Sequence, residues 1–300
     1  MIKNKYFMLF GLIFCGMVLC WSAAAQPVEI TIYHTSDFHD TSVNISRIAR
    51  FVEDQKKSDP NTIFLDTGDW FNKGDLAPLK NRGESMTKLL GQCNYDALVL
   101  GNHEYSFGTQ RLFDLVRKYS LPVLAYNIEL PSDVKKPEIV KPYKILKLGS
   151  VKVAILGSAC PYTNHQIDKL IKVNPVEQLL DVYINILNQQ ADIIVLMTHL
   201  GSPKDILLAK DFPRIDLILG GHDHRIYNEM MYLDDSKTII HHSGQRGQCI
   251  GEIKLTWNKD QITDRNTRII TITPDMAQSA KVQAIVEGYL LELEQVKTTN

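Results

Sequence analysis

The sequence predicts an α/β fold around a largely parallel or mixed sheet, and three observations predict it. Short apolar runs rich in β-branched residues and leucine recur along the chain. Amphipathic helical stripes fill several of the gaps between them. Five of the runs are followed, within a few residues, by a small cluster of Asp, Asn or His. Strands alternating with helices give layered α/β folds, and ligands in such folds sit where the loops leave the carboxyl ends of the strands.

Residues 1–25 read as an export leader rather than as part of that fold. Lys3 and Lys5 supply a basic start, residues 6–20 an uncharged apolar run, and Ala23-Ala24-Ala25 a small-residue cleavage site before Gln26. The other reading is an uncleaved anchor helix, which the run barely reaches in length, since about 20 apolar residues are needed to cross a bilayer. Cys15 and Cys20 lack the preceding small residue of a lipoprotein signal. Residues 26–300 are then expected to form one exported domain, periplasmic or secreted, with no membrane span after cleavage.

Residues 28–33 alternate toward a strand, and residues 62–65, 97–100, 192–197 and 215–219 are compact apolar runs of the kind that form buried central strands. Ile45, Ile48, Phe51 and Val52 make one helical stripe; Val176, Leu179, Leu180, Tyr183 and Leu187 make another. The second has a start signal in Asn174 as cap, Pro175 at the first helical position and Glu177. Residues 144–148 and 151–156, joined through Gly149-Ser150, read as a hairpin. Residues 238–242, 251–257 and 267–273 read as further strands. A final amphipathic helix runs over 282–296, begun by Pro274-Asp275.

Composition excludes little beyond a nucleic-acid scaffold. Without the leader the net charge is about minus 3, far from the basic balance of a nucleic-acid binder. Cys93, Cys160 and Cys249 match neither a zinc ribbon nor a redox pair and read as small buried apolar residues.

The chemistry lies in the five clusters: Asp37-Phe38-His39, Gly68-Asp69, Gly101-Asn102-His103-Glu104, Thr198-His199 and Gly220-Gly221-His222-Asp223-His224. Asp37 and His39 can hold one divalent ion, with His224 returning to it and Asp69 bridging to a second. Asn102, His199 and His222 would complete that second site. Mixed nitrogen and oxygen ligands without thiolate suit Mn, Fe, Zn or Co alike. Two such ions can acidify a bridging water, orient a phosphoryl group and neutralise its developing charge, so no Ser or Cys nucleophile is required. His103, beside Asn102 but not itself a ligand, is placed to stabilise the transition state or protonate the leaving oxygen. His34, His165, His241 and His242 are assigned structural or surface roles. Trp70, Phe71 and Tyr105 could line a substrate cleft or belong to the core; no substrate-binding residue is assigned.

These motifs, with Ser243-Gly244-Gln245 and Ile250-Gly251 after them, resemble the calcineurin-like metallophosphoesterases, in particular the catalytic domain of the 5′-nucleotidase and UDP-sugar hydrolase branch, over roughly residues 28–296. The resemblance implies a four-layer α/β/β/α sandwich with two mixed central sheets. It also implies a dinuclear centre held by Asp37, His39, Asp69, Asn102, His199, His222 and His224, with His103 as the catalytic group. The expected activity is hydrolysis of nucleotide monophosphates or similar small phosphate esters by a metal-bridging hydroxide. Cyclic-nucleotide phosphodiesterase or nucleotide-sugar pyrophosphatase activity is the alternative, and a thiosulfohydrolase-like enzyme or a non-catalytic metal-binding subunit stands further off. Two departures from the branch's pattern are visible. Ser106 stands where the branch carries an Asp that backs the catalytic His, and residues 26–300 are expected to hold only the metal domain, with the branch's nucleotide-binding domain supplied, if used, by a separate subunit.

Overall fold

The computed structural model describes residues 26–131, 138, 140–161, 171–226, 231–233 and 236–299. The leader and His165 lie outside them. In chain order the elements are β1 (Val28–Thr35), α1 (Ile45–Ser58), β2 (Thr62–Asp66), α2 (Glu84–Leu90), β3 (Ala97–Leu98), α3 (Thr109–Lys118), β4 (Ile128–Glu129), β5 (Tyr143–Leu148), β6 (Val151–Gly157) and β7 (Lys172–Val173). Then come α4 (Glu177–Leu187), β8 (Ile193–Met197), α5 (Ser202–Asp211), β9 (Leu217–Gly220), β10 (Met231–Leu233), β11 (Ser236–His242), β12 (Cys249–Asn258), β13 (Gln261–Thr271) and α6 (Ala280–Thr299).

The five predicted strands divide between two sheets. One sheet has the order β13-β12-β1-β2-β3, with β1, β2 and β3 parallel and the long β12–β13 hairpin antiparallel on the flank of β1. The other has the order β10-β11-β9-β8-β6-β5, with β6, β8, β9 and β11 parallel and antiparallel strands at both edges. Both are mixed sheets. Alternate side chains decide how they stack, because successive residues of a strand point to opposite faces. Ile30, Ile32, Ile63 and Leu65 of the first sheet meet Val153, Ile155, Val195 and Leu217 of the second in a dry layer. The opposite face of the first sheet, through Tyr33, Phe64 and Leu98, packs on Ile48, Val52, Leu89 and Leu112 of α1, α2 and α3. The opposite face of the second, through Leu156, Ile194 and Ile218, packs on Leu180, Ile184 and Leu208 of α4 and α5. The result is the α/β/β/α sandwich.

Tertiary contacts move several predicted boundaries. The Asn174 side chain does not cap α4: it donates to Glu129 Oε1 (2.6 Å), and the helix starts after Val176. A cross-strand partner has taken the group that would have satisfied the helix end. Helix α6 begins at Ala280 rather than after Pro274-Asp275. Its Val282, Val286 and Leu293 join the core beside α1 and α2. The hairpin through Gly149 stands as predicted, with Leu148 opposite Val151. Cys93, Cys160 and Cys249 are buried free thiols. Trp70, Phe71 and Tyr105 are core residues, each at most 2% exposed. No helix among the described residues is long and apolar enough to cross a membrane.

Candidate metal centre

Loops from both sheets converge at one edge of the sandwich. Asp37 and His39 follow β1, Asp69 follows β2, Asn102 and His103 follow β3, His199 follows β8, and His222 and His224 follow β9. Backbone hydrogen bonds carry the β1–β2 ladder past the strand ends: Asp37 N donates to Gly68 O (2.8 Å) and His39 N to Asp69 O (2.9 Å). Across the two sheets, His222 N donates to Asp37 Oδ2 (3.2 Å). Five of the converging residues take left-handed backbone conformations: Asp37 (φ 54°), His39 (49°), Asp69 (59°), His222 (84°) and His224 (59°). For non-glycine residues this conformation costs on the order of 1 kcal/mol or more each, and it persists only where surrounding structure enforces it. Gly101 shows how tight the enforcement is, since a Cβ there would overlap Asp69 Oδ1.

The side-chain atoms cluster. His39 Nε2 lies 3.1 Å from His224 Nε2 and 3.7 Å from Asp37 Oδ1, and His224 Nε2 lies 3.3 Å from the same Oδ1. His199 Nε2 lies 3.0 Å from Asp69 Oδ2 and 3.8 Å from Asp37 Oδ1. His222 Nδ1 and Asn102 Oδ1 are 3.0 Å apart. Asp37, His39 and His224 form one group that could hold an ion; Asp69, His199 and His222 form another. Asp69 also groups with His39 and His103, as a carboxylate facing both sites would. All eight residues singled out from the sequence are brought together.

The donor set fits divalent cations. Asp37 Oδ1 and His199 Nε2 are buried without a hydrogen-bond partner, although oppositely charged groups stand nearby. Such orphans are costly unless another species completes them. The outer ring nitrogens are occupied: His199 Nδ1 lies 2.6 Å from Thr67 O, and His39 Nδ1 lies 3.3 Å from Phe71 O. A backbone acceptor at Nδ1 fixes the proton there and turns the Nε2 lone pair inward, which is the usual arrangement behind a metal-ligating histidine.

The electrostatics agree with a site awaiting positive charge. Burial pushes the His39 imidazole down to about 4 against the pull of Asp69 and Asp37, leaving it neutral at ordinary pH. Burial opposes ionisation of Asp69 and Asp37, yet the neighbouring His199 cation holds both below the usual carboxylate range. His199 itself is disfavoured as a cation by burial but raised to about 10 by Asp69 and Asp37. A proton on this ring compensates the two carboxylates, and a metal ion would replace it.

The sequence alone did not single out the supporting groups. Glu104, fully buried, accepts from the backbone N–H of Gly101 (2.6 Å), Asp69 (3.0 Å) and Trp70 (2.6 Å), clamping the β2 and β3 loops together. Three donors aimed at one carboxylate favour its charged form, while burial and the nearby Asp69 pull its pKa up to about 8. Glu104→Gln keeps the size but points an amide N–H at a backbone donor. It is expected to lower activity ten- to a hundred-fold and metal affinity with it, read by metal titration and initial rates. A variant as active as the parent would show that the clamp is dispensable. His242, buried, bridges Asp205 Oδ2 (2.9 Å) and Asp223 Oδ1 (3.2 Å), so it ties the His222–His224 loop to α5. Its role is structural, as assigned. His34 and His241 are buried between the sheets, with His34 Nε2 2.7 Å from His241 Nδ1.

Comparison with known proteins places this geometry. The chain is 26% identical over 308 residues to a trifunctional nucleotide phosphoesterase of Bacillus subtilis, YfkN, covering 90% of this chain and 21% of that protein. It is 24% identical to a 5′-nucleotidase of Bos taurus, covering 93% of this chain and 55% of the relative. Among solved structures it resembles a 5′-nucleotidase precursor of Thermus thermophilus, with a TM-score of 0.78 at 20% identity over 89% of this chain and 59% of the other. The chain thus spans about half, or less, of the length of these relatives. The model of the calcineurin-like phosphoesterases matches residues 30–225, a span holding every residue of the centre described above. With strands, loops and polar cluster all inside that match, the chain belongs to the calcineurin-like phosphoesterase family, whose members hydrolyse phosphoric esters with divalent metals.

Proposed function

We propose that this chain is an exported hydrolase that binds two divalent ions and cleaves nucleotide monophosphates or similar small phosphate esters. Asp37, His39 and His224 would hold one ion, Asn102, His199 and His222 the other, and Asp69 would face both. The observation that carries this reading is the convergence of two triads of possible ligands, Asp37 with His39 and His224 and Asp69 with His199 and His222, each with its ligand atoms within 4.8 Å of one another. The nucleotide class is suggested by the activities named for the similar proteins. When bound, the ions supply an acidified water and positive charge for the phosphoryl oxygens.

The chain's own residues supply the rest. His103 Nε2 faces the cluster, 4.0 Å from Asp69 Oδ2, and its backbone N donates to Asp69 Oδ1 (2.9 Å). The ring is thus fixed at the rim, within reach of the oxygen that leaves phosphorus. A water oxygen attacks phosphorus and releases a proton to solvent as the bond to the leaving oxygen breaks; that oxygen takes the electron pair and a hydrogen bond from His103.

Metal analysis of the purified protein, followed by phosphate release from nucleotide monophosphates, nucleotide sugars and cyclic nucleotides, tests the proposal. About two ions per chain and chelator-sensitive turnover are expected. A fully loaded protein that hydrolyses none of these, nor p-nitrophenyl phosphate, would overturn it.

A further inference from the structure

Ser106 does not fill the place behind His103. Asn72, from the loop after β2, does. Its amide Nδ2 lies 3.1 Å from His103 Nδ1 and 2.7 Å from Ser106 Oγ. An amide nitrogen carries two hydrogens, so one can go to each acceptor. Asn72 is itself held: it sits in the left-handed region (φ 70°), and its backbone N donates to Asp40 Oδ2 (2.5 Å). Asp40, next to His39, is buried and fixed in turn by its backbone N–H to Trp70 O (2.6 Å).

We infer that Asn72 is the positioning residue of His103, donating to Nδ1 and so holding the proton on Nε2, the nitrogen that faces the metal cluster. This rests on the proposed phosphoesterase reading of the centre and narrows it. A carboxylate behind a histidine accepts from Nδ1–H and stabilises the imidazolium. A neutral amide that donates to Nδ1 does the opposite, keeping the ring a neutral hydrogen-bond donor. When water attacks phosphorus, the departing oxygen then leaves with its electron pair and an Nε2–H hydrogen bond, without taking the proton in full. Oxygens that are stable as anions, a phosphate or an aryl oxide, depart readily under these conditions. A sugar alkoxide still departs, but more slowly. The structure therefore assigns to this chain a steep dependence on leaving group: phosphoanhydride and aryl phosphate bonds gain over alkyl monoesters.

Two measurements test it. The first is 15N NMR of the histidine-labelled, metal-free full chain at alkaline pH, with the His103 signals identified by their loss in His103→Gln. The expected result is the Nε2–H tautomer in the parent and the Nδ1–H tautomer in Asn72→Asp; Nδ1–H already in the parent would overturn the inference. The second compares kcat and KM of the metal-loaded parent and Asn72→Asp on nucleoside monophosphate, nucleotide sugar and aryl phosphate. Proton transfer by a positioned side chain is worth about 10²–10⁴-fold. Asn72→Asp is therefore expected to raise kcat on the alkyl monoester at least about tenfold relative to the other two, with KM nearly unchanged. An unchanged ratio would overturn the inference. Loss of all turnover in the loaded parent would instead strike the phosphoesterase reading, which the tautomer measurement does not depend on.

Discussion

Asp69→Ala is expected to lose nearly all hydrolysis while keeping the fold. Its carboxylate stands 3.0 Å from His199 Nε2, 3.9 Å from His39 Nε2 and 4.0 Å from His103 Nε2, so it approaches both halves of the cluster and the ring proposed to meet the leaving oxygen. Without it neither proposed ion keeps its shared ligand. Metal-ion catalysis is worth several kcal/mol of transition-state stabilisation, so a loss of about 4 kcal/mol corresponds to roughly a thousandfold in kcat/KM. Bound metal per chain, measured on the same samples, should fall in parallel. The circular dichroism spectrum should not change, because the Asp69 carboxylate is engaged with His199, His39 and His103 in the loops and not within a strand or helix. Retention of more than about a tenth of the parent rate would rule out the bridging role.

The second large effect concerns His242 and shows as a dependence of stability on pH. Burial disfavours its charged form, but hydrogen bonds and charge from Asp205 and Asp223 raise its pKa to about 9. An ordinary histidine in the unfolded chain titrates near about 6.5. Because the folded value is the higher one, the folded state holds its proton more tightly. The stabilisation is fully present below about pH 6.5 and is lost as pH rises through about 9. The difference of the two values corresponds to roughly 3 kcal/mol. Urea unfolding of the parent at about pH 6 and about pH 9.5 should show most of that loss. His242→Gln should be less stable at the lower pH and should lose roughly 3 kcal/mol less than the parent between the two, since it leaves the buried Asp205 without its cation at either pH. Parallel pH profiles for parent and variant would mean that His242 is not the titrating group.

Much of the fold and nearly all of the centre were legible in the sequence, for a physical reason. A candidate ligand announces itself by residue type and by its place just after an apolar strand, as Asp37 does after β1 and His222 after β9. Which sheet a strand joins leaves no such trace, because a buried central strand reads the same in either: β2 and β8 both have a compact apolar centre, Ile63–Leu65 and Ile193–Met197, and are buried throughout. The supporting groups were invisible for a related reason. His242 reaches Asp205, 37 residues away, and Asn72 reaches His103, 31 away, and no local pattern encodes such pairings. Ser106 drew attention as the departure from the family pattern, whereas the group that contacts His103 lies in another loop. Asn174 failed as a helix cap through the same competition, its side chain being claimed by Glu129.

The division of the cluster between two sheets makes turnover a gauge of their alignment. Asp37, Asp69 and Asn102 ride on one sheet, while His199, His222 and His224 ride on the other, and the layer between the two is built mainly of interlocked Ile, Val and Leu, with His34 against His241. Close-packed interiors transmit displacement instead of absorbing it. A volume change at Ile32 or Val195, deep under the loops, would slide one half of the ligand set past the other by fractions of an ångström. Catalysis would register that slip over and above the loss of stability that the same change brings.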